Sequence, residues 1–183
     1  PEPEAEKQVM EIDFAALAEA TEDQTLAEMY RYFAKVTPST QNEYTGYFAG
    51  KNLIFLTCES LWKYAIDPNL TPNLYKLWNE GFQFTNFYNP IWGVSTLDGE
   101  YVNLLGMIPV TGTWSMTESA TNWLPFSFGN QFRPMGYTTR AYHDHTYTYY
   151  SRDKSHPNLG YDYKGMGNGL NIKVMWPESD VDM

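Results

Sequence analysis

Apolar positions along the chain change texture near residue 50. Before it they recur at helical spacing between acidic stretches. After it they form short runs broken by turn residues. In the first part, Leu26, Met29, Tyr30 and Phe33 stand at i, i+3, i+4 and i+7, one face of an amphipathic helix that stops before Pro38. Thr21-Glu22-Asp23-Gln24 has capping-box form, with Thr21 as the cap. A shorter helix is predicted over Phe14–Ala20, capped by Asp13. Residues 1–12 are acidic and proline-bearing and read as a linker; residues 38–50 are polar and glycine-bearing and read as a loop. The whole of 1–50 is expected to be an arm packing across a domain, with a partner-binding helix as the alternative.

From Lys51 the pattern becomes α/β. Asn52-Leu53-Ile54-Phe55-Leu56-Thr57 is a near-continuous apolar run of strand length, the form taken by a strand covered on both faces in a parallel sheet. A helix is predicted over Pro72–Glu80, with Thr71 as N-cap, proline at the first helical position and Gly81 as its stop. A second extended stretch follows at 82–88. A helix over Thr96–Leu105 opens at Ser95 or Thr96 and closes at Gly106. Another is expected within 121–135, and a third strand over 137–142. Beyond Tyr142 the chain is rich in Tyr, His, Gly and Asn with weak periodicity, and reads as long loops. Strands alternating with helices give the α/β class.

Composition narrows the function classes. Of 183 residues, 43% are hydrophobic and 17% aromatic, which excludes disorder. The 22 acidic residues against 12 basic give a net charge of −10, the wrong sign for nucleic acid or for docking on anionic lipid. No apolar run reaches the ~18 residues of a membrane span, and the start Pro1-Glu2-Pro3-Glu4 has no signal-peptide pattern. A single cysteine, Cys58, excludes an internal disulfide and a cysteine-based zinc cluster, and its setting after an apolar run reads as structural.

Three segments carry candidate chemistry. Glu59 directly follows the apolar run 52–57, and ligands of open α/β sheets bind beyond the carboxyl ends of strands. Gly93-Val94-Ser95-Thr96-Leu97-Asp98-Gly99-Glu100 delivers two hydroxyls to a helix N-terminus, where free N–H groups stabilise an anion; the same residues also serve as ordinary caps. Tyr142-His143-Asp144-His145 with Tyr149-Tyr150-Ser151-Arg152 offers a histidine and an arginine fork suited to phosphate, or a hydrogen-bonded loop.

Together these segments resemble the sulfatase-like branch of the alkaline phosphatase superfamily, and within it the lipoteichoic acid synthases and related phosphoglycerol transferases. Thr71-Pro72-Asn73-Leu74, Leu77, Glu80-Gly81 and Phe84-Thr85-Asn86 look like a stretch that recurs in sulfatases. The likeness covers roughly 40–183. It implies an alkaline phosphatase/sulfatase-like sheet flanked by helices, incomplete in this chain, with 51–183 as the N-terminal portion of the catalytic domain. By this resemblance Glu59 is a metal ligand, and Thr96, in Thr96-Leu97-Asp98-Gly99-Glu100-Tyr101, is nucleophile and metal ligand. Ser95 stands where the family has Lys. The resemblance also implies that His143, Tyr150 (for a family Trp) and Arg152 contact the glycerol phosphate. The implied cofactor is one divalent cation, Mn²⁺ or Mg²⁺.

The resemblance further implies phosphoglycerol transfer from phosphatidylglycerol to a polymer or glycolipid through a threonine-linked intermediate, at the extracellular face of a bacterial membrane. Attachment would come from an upstream segment. The Cys/Ser-x-Pro-x-Arg motif of sulfatases proper is absent, which counts against sulfate ester hydrolysis. The family completes its metal site with a later Asp-His pair and a further His. Asp144-His145 lies inside the substrate segment and is not given that role, so the chain alone is expected to be inactive. Half of an α/β sheet exposes an edge and an apolar face, and self-association is expected from that. Phosphoethanolamine transfer, a phosphoesterase of the same fold, and a non-catalytic envelope module are the alternatives.

Overall fold

The computed structural model describes residues 6–58, 60–88, 92–94, 96–174 and 181–182, in two compact units, Pro1–Thr57 and Cys58–Met183.

In the first unit, α1 (Phe14–Ala20) and α2 (Gln24–Phe33) form a helical hairpin. Small residues, Ala18 and Ala27, are buried between them, and the Phe14 ring packs 5.6 Å from Phe33 and 6.4 Å from Tyr30. Asp13 caps α1 as expected, accepting from the Ala16 N–H. The cap of α2 is Asp23, not Thr21: its Oδ1 accepts from Thr25 and Leu26 N–H at 2.8 and 3.1 Å, while Thr21 Oγ1 accepts from Asp23 N–H. A carboxylate directly before the helix outcompetes a hydroxyl two residues earlier, because it meets two otherwise unpaired amides and the helix dipole.

The second unit contains α3 (Pro72–Glu80), α4 (Thr96–Leu105), α5 (Ser115–Glu118), α6 (Phe128–Phe132), β1 (Arg140–Thr146), α7 (Arg152–Asn158) and β2 (Asp162–Met166). Strands β1 and β2 pair in parallel from Arg140↔Asp162 to His143↔Gly165, with an irregularity before Thr146↔Met166. Parallel strands need a crossover, and α7 supplies it. Leu97 and Leu105 of α4, Met116 of α5 and Leu159 after α7 form the buried core, with Tyr101, Leu104, Leu124, Tyr150 and Tyr161 packed against it.

Helices α3 and α4 lie where the pattern puts them. Thr71 precedes α3 without a capping bond; its Oγ1 donates to the Ala65 carbonyl and accepts from the Asp67 N–H, closing the preceding turn instead. The helix expected within 121–135 is the short α6, capped by Ser127. The strands expected at 52–57 and 82–88 do not form. No ladder partner for them exists among the described residues, and apolar side chains there are exposed, Ile54 to 90%. A strand is held by neighbours as much as by its own pattern. The strand expected over 137–142 runs instead over Arg140–Thr146, and the stretch read as loops after Tyr142 holds α7 and β2. Hydropathy misses α7 because its buried positions are Arg152, Ser155 and His156. No helix among the described residues is long and apolar enough to cross a membrane.

Candidate active site

Helix α4 begins at Thr96, which is half-buried. The turn that delivers it is tied down from inside the helix. Asp98, 1% exposed, accepts through Oδ2 from the N–H groups of Trp92 and Val94 at 2.8 and 3.1 Å, and Gly93 between them adopts φ +106°. That backbone shape is one that glycine alone adopts cheaply. Asp98 thus spends one carboxylate oxygen on the entry loop; the other, Oδ1, is buried with no hydrogen-bond partner among the described residues.

One turn after Thr96, on the same helix face, Glu100 meets Arg152. The Arg152 Nε–H points at both Glu100 oxygens at 3.2 Å, and Nη2 donates to Oε1. Nη1 donates to the Tyr149 carbonyl at 3.3 Å, and the guanidinium carbon lies 5.3 Å from the Tyr150 ring centre and 5.9 Å from that of Tyr149. Arg152 is 2% exposed. A cation so buried needs a matched anion and several acceptors, and it has both.

Just before Arg152 the backbone is strained. Tyr150 and Ser151 both lie in the left-handed region, at φ 55° and 57°. Successive non-glycine residues there are costly and persist only where their surroundings hold them. Here the Tyr150 ring packs 5.2 Å from Trp114 and 4.1 Å from Tyr149, its carbonyl accepts from Thr117 Oγ1, and Arg152 grips the Tyr149 carbonyl.

His143, at the register position opposite Gly165, stacks on Tyr149 at 6.2 Å and 12°. Its pKa is lowered to about 4, first by burial, then by the charges of Arg152 and His145. It is therefore neutral near pH 7. Its Nδ1 accepts from the His145 N–H at 3.3 Å, which leaves the proton on Nε2. His145 packs 4.4 Å from Tyr149. Behind these, His156 is buried 4.8 Å from Tyr163, with its pKa lowered to about 3 by burial and then by Arg152 and His143.

The structure thus brings His143, Tyr150 and Arg152 into one contiguous group, and Glu100 ties that group to the helix that Thr96 opens. Glu59 and Ser95 lie outside the described residues. Cys58 is free and exposed. Sequence reasoning did not single out Glu100, Asp98, Tyr149 or Trp114. The i, i+4 spacing of Thr96 and Glu100 is the one signal that points to Glu100. Of the two residues that the resemblance assigns to a divalent cation, Thr96 opens α4 and Glu59 lies outside the described residues. Among the described residues no group of three or more His, Cys, Asp or Glu is placed to hold a metal.

Comparison with known proteins addresses the same residues. The sequence pattern of the sulfatase family matches residues 51–183. Over 154 residues the chain is 29% identical to lipoteichoic acid synthase 2 of Bacillus subtilis (strain 168), an alignment covering 80% of this chain and 23% of that protein. The chain thus spans under a quarter of the length of this curated relative. No solved structure matches. The family match takes in well over half of the chain, from the run before Glu59 through α4, β1 and α7, and on that extent the chain belongs to the sulfatase family.

Proposed function

We propose that this chain carries residues of a phosphoglycerol transfer site that moves the group from phosphatidylglycerol to a hydroxyl of an envelope polymer or glycolipid, at the outer face of a bacterial membrane. The observation that carries the reading is the Glu100–Arg152 pair, because it joins the Thr96 helix to the segment of His143, Tyr150 and Arg152. The likeness to lipoteichoic acid synthase 2 supports the choice of headgroup.

In this reading the Thr96 hydroxyl oxygen attacks the headgroup phosphorus. The bond from phosphorus to the diacylglycerol oxygen breaks, and diacylglycerol leaves with a proton. The group, now esterified to Thr96, passes to an acceptor hydroxyl, which restores the Thr96 O–H. The N–H groups and dipole at the start of α4 stabilise the phosphoryl oxygens. Neutral His143 donates through Nε2–H without adding charge. Arg152 supplies the positive charge, balanced in part by Glu100. A divalent cation, Mn²⁺ or Mg²⁺, held by Thr96 and Glu59, would lower the hydroxyl pKa and neutralise phosphoryl charge.

A second reading, a module that keeps the fold without turnover, is favoured by the near-complete burial of Arg152. Release of diacylglycerol separates the two. The complete gene product, with Mn²⁺, is incubated with vesicles of phosphatidylglycerol and, separately, of phosphatidylethanolamine. Release from phosphatidylglycerol alone is expected. Preference for phosphatidylethanolamine would reassign the headgroup, and release from neither would favour the non-catalytic module.

A further inference from the structure

The half-buried carboxylate of Glu100 touches no reacting atom in the chemistry above, yet it is the point through which the site is assembled. It lies one helical turn from Thr96 and, across a separation of 52 residues, receives three donor contacts from Arg152. Arg152 in turn holds the Tyr149 carbonyl, and the two residues after Tyr149 are the left-handed pair. The chain of contacts therefore runs from the Thr96 helix, through Glu100 and Arg152, into the strained turn that sets the Tyr149 and Tyr150 rings. His143 stacks on the first of these rings.

A point charge would neutralise Arg152 equally well from many directions. A carboxylate facing the Nε–Nη2 edge fixes the plane of the guanidinium. With that edge taken and one Nη1 proton committed to Tyr149, the direction from which a phosphate can approach is set by where Glu100 sits on α4. Removing the carboxylate frees the guanidinium to rotate and relieves the turn of its anchor.

We propose that Glu100 is a positioning residue: it orients Arg152, and through it the Tyr149–Ser151 turn, relative to Thr96. This rests on the reading of Arg152 as the contact for the headgroup phosphate. A misplacement of about 1 Å in such a group costs on the order of 10²-fold in rate, so the effect expected of Glu100→Gln is large although Glu100 touches no reacting atom.

The test compares wild type, Glu100→Gln, Arg152→Lys and the double variant in the complete gene product, at a temperature where each keeps the wild-type far-UV circular dichroism. Binding of glycerol phosphate is read by calorimetry, and diacylglycerol release by kcat and KM. The expected result is a Kd for glycerol phosphate raised about tenfold or more in Glu100→Gln. Adding Arg152→Lys to it should then cost little further, because the two changes break one unit. A folded Glu100→Gln variant with Kd and KM within twofold of wild type overturns the proposal, as does full additivity of the two changes. If Glu100→Gln does not fold, Glu100→Asp, which keeps the charge but draws it back by one methylene, carries the same criteria. The binding arm keeps this outcome apart from the function reading: coupled loss of glycerol phosphate binding supports the Glu100 role even if no diacylglycerol is released.

Discussion

At the scale of single residues, the second unit relies on polar groups used as core. Arg152, Ser155 and His156 fill the buried face of α7, where a pattern-based reading looks for Leu or Val. The consequence for pH is specific. His156 is held neutral, with a folded pKa of about 3 against an ordinary 6.5, because burial and then the charges of Arg152 and His143 oppose its protonation. As pH falls, the unfolded chain takes up the proton first. The stability that depends on neutral His156 is therefore complete above pH 6.5 and is lost progressively toward pH 3. The slope is about 1.4 kcal/mol per pH unit within that window. His143 adds to the loss over the shorter range down to about 4. Thermal unfolding at pH 7.5 and pH 5 should show a clear drop in Tm for the wild type and a smaller one for His156→Gln. An equal drop in both would remove His156 from the account.

At the scale of elements, the junction of α6 with the end of α7 is held by side-chain hydrogen bonds to backbone carbonyls and by close approach of the backbone. Ser127 Oγ donates to the Leu159 carbonyl and Asn130 Nδ2 to the Asn158 carbonyl, both at 2.9 Å. Gly160 adopts φ +89°, and a Cβ there would lie 2.5 Å from Asn130 Oδ1 and 2.7 Å from the Asn130 nitrogen. Gly160→Ala should therefore combine overpacking with backbone strain and destabilise by about 1–3 kcal/mol, read as a lowered urea midpoint. A midpoint unchanged from wild type would show that the junction yields. The legibility of elements follows the same physics. Helix α1 was readable from its Asp13 cap, α3 from Pro72 at its first position and Gly81 at its end, and α4 from the Gly106 stop. The run 52–57 was readable as apolar but not as a coil, since a strand also depends on residues elsewhere that pair with it. Helix α7 was unreadable from hydropathy, since Arg152, His156 and Ser155 bury through ion pairing, ring contacts and hydrogen bonds, and β2 was unreadable because its buried positions are Tyr163 and Gly165. At the site, Thr96 at the start of α4 and the grouping of His143, Tyr150 and Arg152 were legible as segments. Glu100 was not singled out, because its i, i+4 spacing from Thr96 is shared by many solvated helix glutamates and its partner Arg152 lies 52 residues away.

At the scale of the whole molecule, apolar side chains at 53–56 and 82–88 are exposed. The net charge of −10 makes any attraction for an anionic headgroup a local matter of Arg152 and the start of α4. The central claim is that Thr96 is the nucleophile of a headgroup transfer. The most direct measurement is diacylglycerol release from phosphatidylglycerol vesicles by the complete gene product, wild type against Thr96→Ala, with mass spectrometry of the peptide that contains Thr96. The account predicts a glycerophosphate ester on Thr96 in the wild type. In the variant it predicts loss of release by at least about 10³-fold, in line with removal of a covalent nucleophile, and a nearly unchanged Tm. Release near the wild-type rate from Thr96→Ala, or an ester found on Ser95 instead, would contradict it.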